Sequence, residues 1–407
     1  MNILFFVPYV PNLIRIRPYN LIRSLSARGH QVTLVTIWKD EQERNSIELL
    51  EKHCKQIHAF HLPGWRSLWN CMSAMPTSDP LQSLYSWEPA VAREMVRLAK
   101  SNGKPDFDVV HVEHLRGARY GSFLKAQLQD RKPSLPVVWD SVDSISLLFR
   151  QAMLQSKSVF SRGLTRFELS RTEPYEAGMV RQFDQVVVTS SADRLAFLSL
   201  QAASVNPSLI SVLPNGVDLD YFRPDEHVER DPATLVVSGK MSYHANVAMV
   251  LRLVNEIMPH VWRRRPDIKI TIVGKDPPRQ IQSLSQNPNI IVTGTVKDLR
   301  PYLQKATIAV APIVYSVGIQ NKVLEALACS TPVIASPHAT LALSVTHDQE
   351  LWIADDSIDF ANAALTLLND PERRRQLGKA GRDYVEKYHQ WFSIAGQLEQ
   401  IYEQAIG

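Results

Sequence analysis

Short, almost uninterrupted apolar runs rich in β-branched residues alternate with segments of helical periodicity along this whole chain. In the first half the runs lie at Asn2–Val10, Gln31–Trp38, Lys55–Leu62, Asp108–Glu113, Pro136–Asp140 and Asp184–Ser190. In the second they lie at Thr234–Ser238, Lys269–Gly274, Asn289–Gly294, Thr307–Pro312, Pro332–Ser336 and Glu350–Ala354. A strand that is apolar on both faces has to be covered on both, and helices between consecutive strands do this over a parallel sheet. The pattern predicts an α/β fold with two doubly wound parallel sheets. Between Ser144 and Gln182 the helical stretch outlasts a standard crossover and predicts one or two extra helices. Pro214, Asn215-Gly216 and Pro224 punctuate the segment Leu213 to Pro224 and place a domain joint there. The predicted units are residues 1–213 and 214–388, with helical patterns at 357–369, 371–387 and 389–406 closing the chain.

The 407 residues, 45% hydrophobic and 21% charged, suffice for two cores and exclude a disordered or fibrous chain. Cys54, Cys71 and Cys329 are scattered, with no CxxC pair, which points to a reducing compartment without structural zinc. Pro8 and Pro11 cut the apolar start below the length of a signal or spanning helix, and a cytoplasmic protein is expected. Residues 1–213 carry 25 Lys and Arg against 19 Asp and Glu, whereas residues 214–407 carry 20 against 22. A basic first half suits an anionic partner, such as a phosphorylated acceptor or an anionic lipid surface, as well as a plain solvated surface. No nucleic-acid partner is expected.

The turn after the first strand, PYVPNLIRIRPYN, lacks the glycines of a dinucleotide fingerprint, which disfavours an oxidoreductase, and the chain has no phosphate-binding GxxxxGK[ST] loop. Arg15 and Arg17 stand there instead, where an α/β sheet binds ligands, and are candidate anion or acceptor contacts. SVGIQNKVLEALACSTPVIAS, from Ser316 to Ser336, places Gly318 at the expected start of a helix carrying Lys322 and Glu325. Backbone N–H groups at such a start face an anion, and a carboxylate two turns on can accept hydrogen bonds from a ribose diol. FDVVHVEHLRG ends a central strand in His111, Glu113 and His114, so general acid–base chemistry or structural side chains are both readings of that edge. Asp140 with Asp143, and Asp218 with Asp220, lack further ligands at metal spacing, and no metal or other cofactor is expected.

Three segments together carry a resemblance over nearly the whole chain: LPNGVDLDYF at the joint, GKMSYHANV after the first strand of the second half, and the LEALAC and TPVIA block. The chain resembles the GT-B nucleotide-sugar glycosyltransferases of glycosyltransferase family four, with a similar sequence in a bacterial polysaccharide-associated subgroup. The resemblance implies two Rossmann-like domains facing a cleft, the first binding the acceptor and the second the donor, with the helix at about 389–407 crossing back to the first. It implies transfer of a sugar from a nucleotide-sugar to a sugar, lipid-linked or small-molecule acceptor, with retention of configuration and stabilisation of the diphosphate by Lys, Arg and helix N-termini.

By the same resemblance Glu325 holds the ribose hydroxyls, Gly318 brings backbone to the donor, and Lys240 takes the place of a phosphate-binding arginine. The family's partner lysine falls on Asn246, which supplies no charge, so Lys322 or an N-domain arginine is expected to assist. The first of the family's two glutamates falls on Val317, leaving Gln320 and Asn321 as neutral groups beside Ile319; Gly274, ending KITIVG, completes the expected donor set. His114, Glu113 and His111 are expected at the transferred sugar, in that order, with Lys240 as the further catalytic group. An epimerase or hydrolase of the same fold, or a non-catalytic sugar-nucleotide binder, remains open. Trp65, Leu68, Trp69, Met72 and Met75 form an apolar stripe at helical spacing that either packs inside or, if exposed, marks a lipid-linked acceptor or a peripheral membrane contact.

Overall fold

The computed structural model describes residues 1–100, 107–130, 133–155, 159–201, 205–315 and 318–407. It divides into two units, Met1–Pro214 with Trp391–Gly407, and Asn215–Gln390. The first holds strands β1 (Asn2–Val7), β2 (Gln31–Trp38), β3 (Gln56–His61), β4 (Val109–Glu113), β5 (Val137–Val142), β6 (Gln185–Val188) and β7 (Ile210–Val212). They pair in parallel in the order β3-β2-β1-β4-β5-β6-β7. Strand order reverses between β1 and β4, and the carboxyl ends of those two strands form the crevice where such sheets take ligands.

Alternation along β1 and β4 sorts the core into two layers. Leu4, Phe6, Val110 and Val112 face one cluster with Trp139 and Tyr120, while Ile3, Phe5 and Val109 face another with Leu21, Ile22 and the terminal helix Trp391–Ile406. That helix buries Trp391, Ile394, Leu398 and Tyr402, each contributing roughly 1.5–3 kcal/mol. Arg28 forks onto Glu399, with Nε to Oε1 at 2.7 Å and Nη2 to Oε2 at 2.6 Å, and fixes its register. Helices Ile145–Gln155 and Val159–Val180 occupy the long stretch before β6.

The second unit holds β8 (Thr234–Ser238), β9 (Lys269–Val273), β10 (Ile290–Gly294), β11 (Ile308–Ala311), β12 (Val333–Ala335) and β13 (Trp352–Ile353). Their order is β10-β9-β8-β11-β12-β13, again parallel, with the reversal between β8 and β11. The sequence reading finds every strand except β7, whose residues Ile-Ser-Val bury only Ile210 and leave no apolar run between Pro207 and Pro214. No helix among the described residues is long and apolar enough to cross a membrane.

Gly274, just past β9, lies against the loop leaving β8. A Cβ there would sit 1.7 Å from the Gly239 carbonyl oxygen, so only glycine lets these two backbones meet. Gly274→Ala is expected to destabilise the second unit by about 2–4 kcal/mol, read as a lowered urea midpoint. An unchanged midpoint would show that the loop gives way freely.

Candidate functional site

In the first unit the crevice is built from the loop after β1 and the end of β4. His114 follows β4 with φ 67°, an uncommon conformation for a residue with a side chain. Its N–H donates to the Asp140 carbonyl at 2.6 Å, and its carbonyl accepts from Trp139 Nε1 at 3.2 Å, so the strained turn is tied on both sides. His114 Nδ1 accepts the Arg116 N–H at 3.2 Å and caps the helix Leu115–Gln127. Burial, with Arg116 and Arg15 nearby, lowers its pKa to about 3. The ring is therefore neutral, and because Nδ1 accepts, its proton belongs on Nε2, assigned from this bonding pattern. His114 offers an N–H donor at a helix N-terminus.

Glu113 has a different character. It is buried, its Oε1 accepts from the Tyr9 hydroxyl at 2.9 Å, and its Oε2 has no hydrogen-bond partner among the described residues. Burial first, and then Asp140, push its carboxyl up to about 8, so at neutral pH it holds its proton. His111 is fully buried, stacked on Phe5 at 4.0 Å between ring centres and bonded through Nδ1 to the Tyr402 hydroxyl at 2.9 Å. It anchors the terminal helix and faces no crevice.

The two arginines also part company. Arg15 is half-buried, stacks 4.7 Å from the centre of the Tyr9 ring and pairs with Glu43 at 2.8 Å. Arg17 is buried: its Nε and Nη2 hold Asp140 at 2.9 and 2.8 Å, and its Nη1 donates to the Leu213 and Pro214 carbonyls. A guanidinium so engaged holds the strand edge, in contrast to the expected acceptor contact. Tyr9, which joins Arg15 to Glu113 and meets His114 edge-on at 6.0 Å, escaped the sequence reading although its place after β1 marked it.

In the second unit the crevice is built from the loops after β8 and β11. The helix Asn321–Ala328 starts three residues later than expected, so Gly318, with φ +63°, lies in the loop before it, beside buried Ile319. Gln320 is the N-cap residue, and Asn321 Oδ1 accepts from Asn215 Nδ2 at 3.4 Å. Val317 lies outside the described residues.

Lys322 and Glu325 are one turn apart on this helix and half-buried. Burial draws the Lys322 amine down to about 8 and pushes the Glu325 carboxyl up to about 7, while each charge opposes the other's shift. Asn246 joins this pair to the β8 loop: its Nδ2 donates to the Lys240 carbonyl at 2.9 Å, and its Oδ1 accepts from Lys322 Nζ at 2.7 Å. Asn246 supplies no charge, but it holds one. Lys240 is exposed, and Gly274 serves the backbone approach already described. His244 and Tyr315, stacked at 5.5 Å and hydrogen-bonded, flank these loops; His244 lies in the GKMSYHANV segment, but its pairing with Tyr315, 71 residues on, carried no sequence signal. Among the described residues no group of three or more His, Cys, Asp and Glu side chains gathers as a metal site.

Residues 17–221 match the family described as Glycosyltransferase Family 4, and residues 232–370 match Glycosyl transferases group 1. The chain belongs to glycosyltransferase family 4. The glycosyltransferase is 23% identical over 346 residues to an uncharacterized 44.6 kDa protein in the cps region of Klebsiella pneumoniae, covering 83% of this chain and 82% of that one. It is 27% identical over 313 residues to the MMP alpha-(1->4)-mannosyltransferase of Mycolicibacterium hassiacum, covering 74% and 71%. Its fold is GT-B: sucrose-phosphate synthase of Thermosynechococcus elongatus superposes with a TM-score of 0.69 at 20% identity over 99% of this chain and 98% of that one. Anabaena HepE in complex with UDP-glucose superposes with a TM-score of 0.67 at 13% identity over 99% of both chains.

The protonation of Glu113 has a measurable consequence. A carboxyl held at about 8 in the folded chain, against an ordinary value of 4.5, binds its proton more tightly folded than unfolded. Stability at this residue is full below about 4.5 and is lost as pH rises through 8. Glu113→Gln is expected to remove that part of the decline, so denaturation at pH 5 and pH 9 should show the variant gaining on wild type at the higher pH. Wild type and variant changing alike between the two pH values would mean that Glu113 is ionised across this range.

Proposed function

We propose that this glycosyltransferase moves a sugar from a nucleotide-sugar to an acceptor hydroxyl, with retention of configuration and without a metal, in polysaccharide or glycolipid synthesis. The observation that carries the reading is the Lys240, Asn246, Lys322 and Glu325 constellation at the strand-order reversal of a sheet that matches the family's group 1 description. Glu325 would accept the ribose hydroxyls. Lys322, poised by Asn246, and Lys240 would carry the diphosphate, whose charge grows as the sugar departs, taking the part a cation plays elsewhere. The loop at Gly318 would bring backbone to the donor. Binding of UDP-glucose by Anabaena HepE and the cps setting of the Klebsiella relative support a nucleotide-sugar donor and a polysaccharide product.

In the first unit, His114 Nε2–H would donate to a hydroxyl of the transferred sugar, and a neutral imidazole there adds no full positive charge beside the oxocarbenium-like centre that develops. The departing diphosphate would take the acceptor proton on the face it leaves, with the protein supplying position and charge. Trp65, Leu68, Trp69, Met72 and Met75 are 54–66% exposed on the helix Gly64–Ala74 and the residue after it, which supports a peripheral membrane contact of a cytoplasmic enzyme and a lipid-linked acceptor.

A thermal-shift panel of UDP-, GDP- and ADP-sugars tests the donor, since a ligand of the folded state raises the melting temperature by mass action. Glu325→Ala should weaken the hit by about 1.5–3 kcal/mol, the scale of a hydrogen bond to a charged group. His114→Ala should cut turnover at least tenfold while leaving nucleotide affinity intact. Turnover should survive EDTA. Equal donor affinity in a folded Glu325→Ala variant, or activity that needs added magnesium or manganese, would overturn the corresponding assignment.

A further inference from the structure

Close to His114 lies a pair of cations that none of these roles uses. Arg116, in the first turn of the helix Leu115–Gln127, holds its guanidinium carbon 4.8 Å from the centre of the Tyr85 ring. Lys39, just past β2, holds Nζ 3.8 Å from the same centre. Both are half-buried, and among the described residues neither has a carboxylate within the 4.0 Å of an ion pair. Arg116 Nε is buried without a hydrogen-bond partner among the described residues. Arg15, the next cation along this edge, is answered by Glu43, whose carboxylate also accepts the Lys39 amide N–H at 2.9 Å. Glu168 reaches the same neighbourhood through Cys71, but among the described residues it makes no ion pair with either cation.

Withdrawing two cations from water without a counter-charge costs stability, and such a cost is recovered when an anion arrives. Desolvation already draws the Arg116 guanidinium below its ordinary pKa. The helix N-terminus adds positive potential, and a guanidinium fork suits oxygen anions. We infer that Arg116 and Lys39 form a subsite for a phosphoryl group carried by the acceptor. The inference rests on the reading that the first unit takes the acceptor. Two cations match a dianion better than a single carboxylate, and the site adjoins the His114 donor. Cys71, within electrostatic reach of both cations, belongs to the helix whose exposed side carries Trp65 and Trp69. Both a soluble sugar phosphate and a membrane-borne phosphate therefore meet this chemistry.

Titration calorimetry of the full chain with glucose 1-phosphate, inorganic phosphate and glucose, alongside flotation with phosphatidylcholine vesicles with and without phosphatidic acid, tests it. At least one phosphate probe should bind, glucose should not, and added salt should weaken the binding. Arg116→Met and Lys39→Met should each weaken it by about tenfold or more, with Arg116→Lys partly restoring it. Binding of the soluble phosphates alone, or of the phosphatidic acid vesicles alone, tells which source the subsite serves. Nucleotide-sugar binding, measured on the same samples, should be unchanged in the variants. If wild type binds a nucleotide-sugar but no phosphate probe, or if the folded variants bind phosphate as wild type does, the subsite is refuted. If wild type binds no nucleotide-sugar at all, the donor reading fails instead.

Discussion

The buried ion pair between Arg17 and Asp140 fixes the working edge of the first unit. Arg17 belongs to the helix after β1, Asp140 to β5, and the same guanidinium reaches the carbonyls of Leu213 and Pro214, where the chain leaves the sheet. Three separate segments thus share one charge centre inside the protein. Removing either partner would strand the other charge in a dry interior, a loss of about 3–5 kcal/mol, so the pair is a fixed point of the fold. Asp140 then passes the constraint on: its carbonyl receives the His114 amide, and the turn that presents the imidazole is held in a conformation it would otherwise avoid. Arg17 therefore acts on the site through His114.

The second unit reaches a similar end by a hydrogen-bonded relay. Asn246 is buried, with one end of its carboxamide on the β8 loop and the other on Lys322. Loops leaving strands at the centre of the sheet are thereby held to one helix, and the close contact of Gly274 with Gly239 sets where the first of them runs. A neutral amide suits this task, because a lysine at the same position would repel Lys322. Position 246 and position 322 are therefore best understood as one unit.

Much of this was legible in the sequence, and the limits are physical. The apolar runs revealed twelve of the thirteen strands, most plainly the central ones such as β1, β4 and β8, because burial on both faces leaves a strong signal even without a sheet to look at. Gly318, Lys322 and Glu325 could be picked out because loop, helix and acid are contiguous. The assignments that changed were those in which one residue type serves two physical purposes. Arg15 and Arg17 are two residues apart, yet one lies half-buried on Tyr9 and the other is sealed inside. His111 and His114 share a motif, but strand alternation sends His111 toward the terminal helix, whereas the turn frees His114 from that alternation. Tyr85, Lys39 and Arg116 have no common sequence signature at all, since three different segments bring them together. The apolar stripe at Trp65 had the period of a core helix, and only its exposure separates the two readings.

One electrostatic pattern unites the candidate sites. In the first unit the acid and imidazole nearest the crevice are neutral: Glu113 keeps its proton, and His114 has shed its second. In the second unit Lys322 and Glu325 both sit within about a unit of neutrality, because burial disfavours each charge and the partner only partly restores it. Burial thus weakens the negative charge next to the donors in both crevices. A transferase working on anions gains from that arrangement, since a carboxylate in the pocket would repel the diphosphate before any contact formed. It also follows that the strongest field acting on a bound ligand comes from groups with positive character: the helix N-termini, Lys322, Lys240 and Arg116. Charge that develops as the sugar leaves its diphosphate would meet donors already in place, without reorganisation at the moment of transfer.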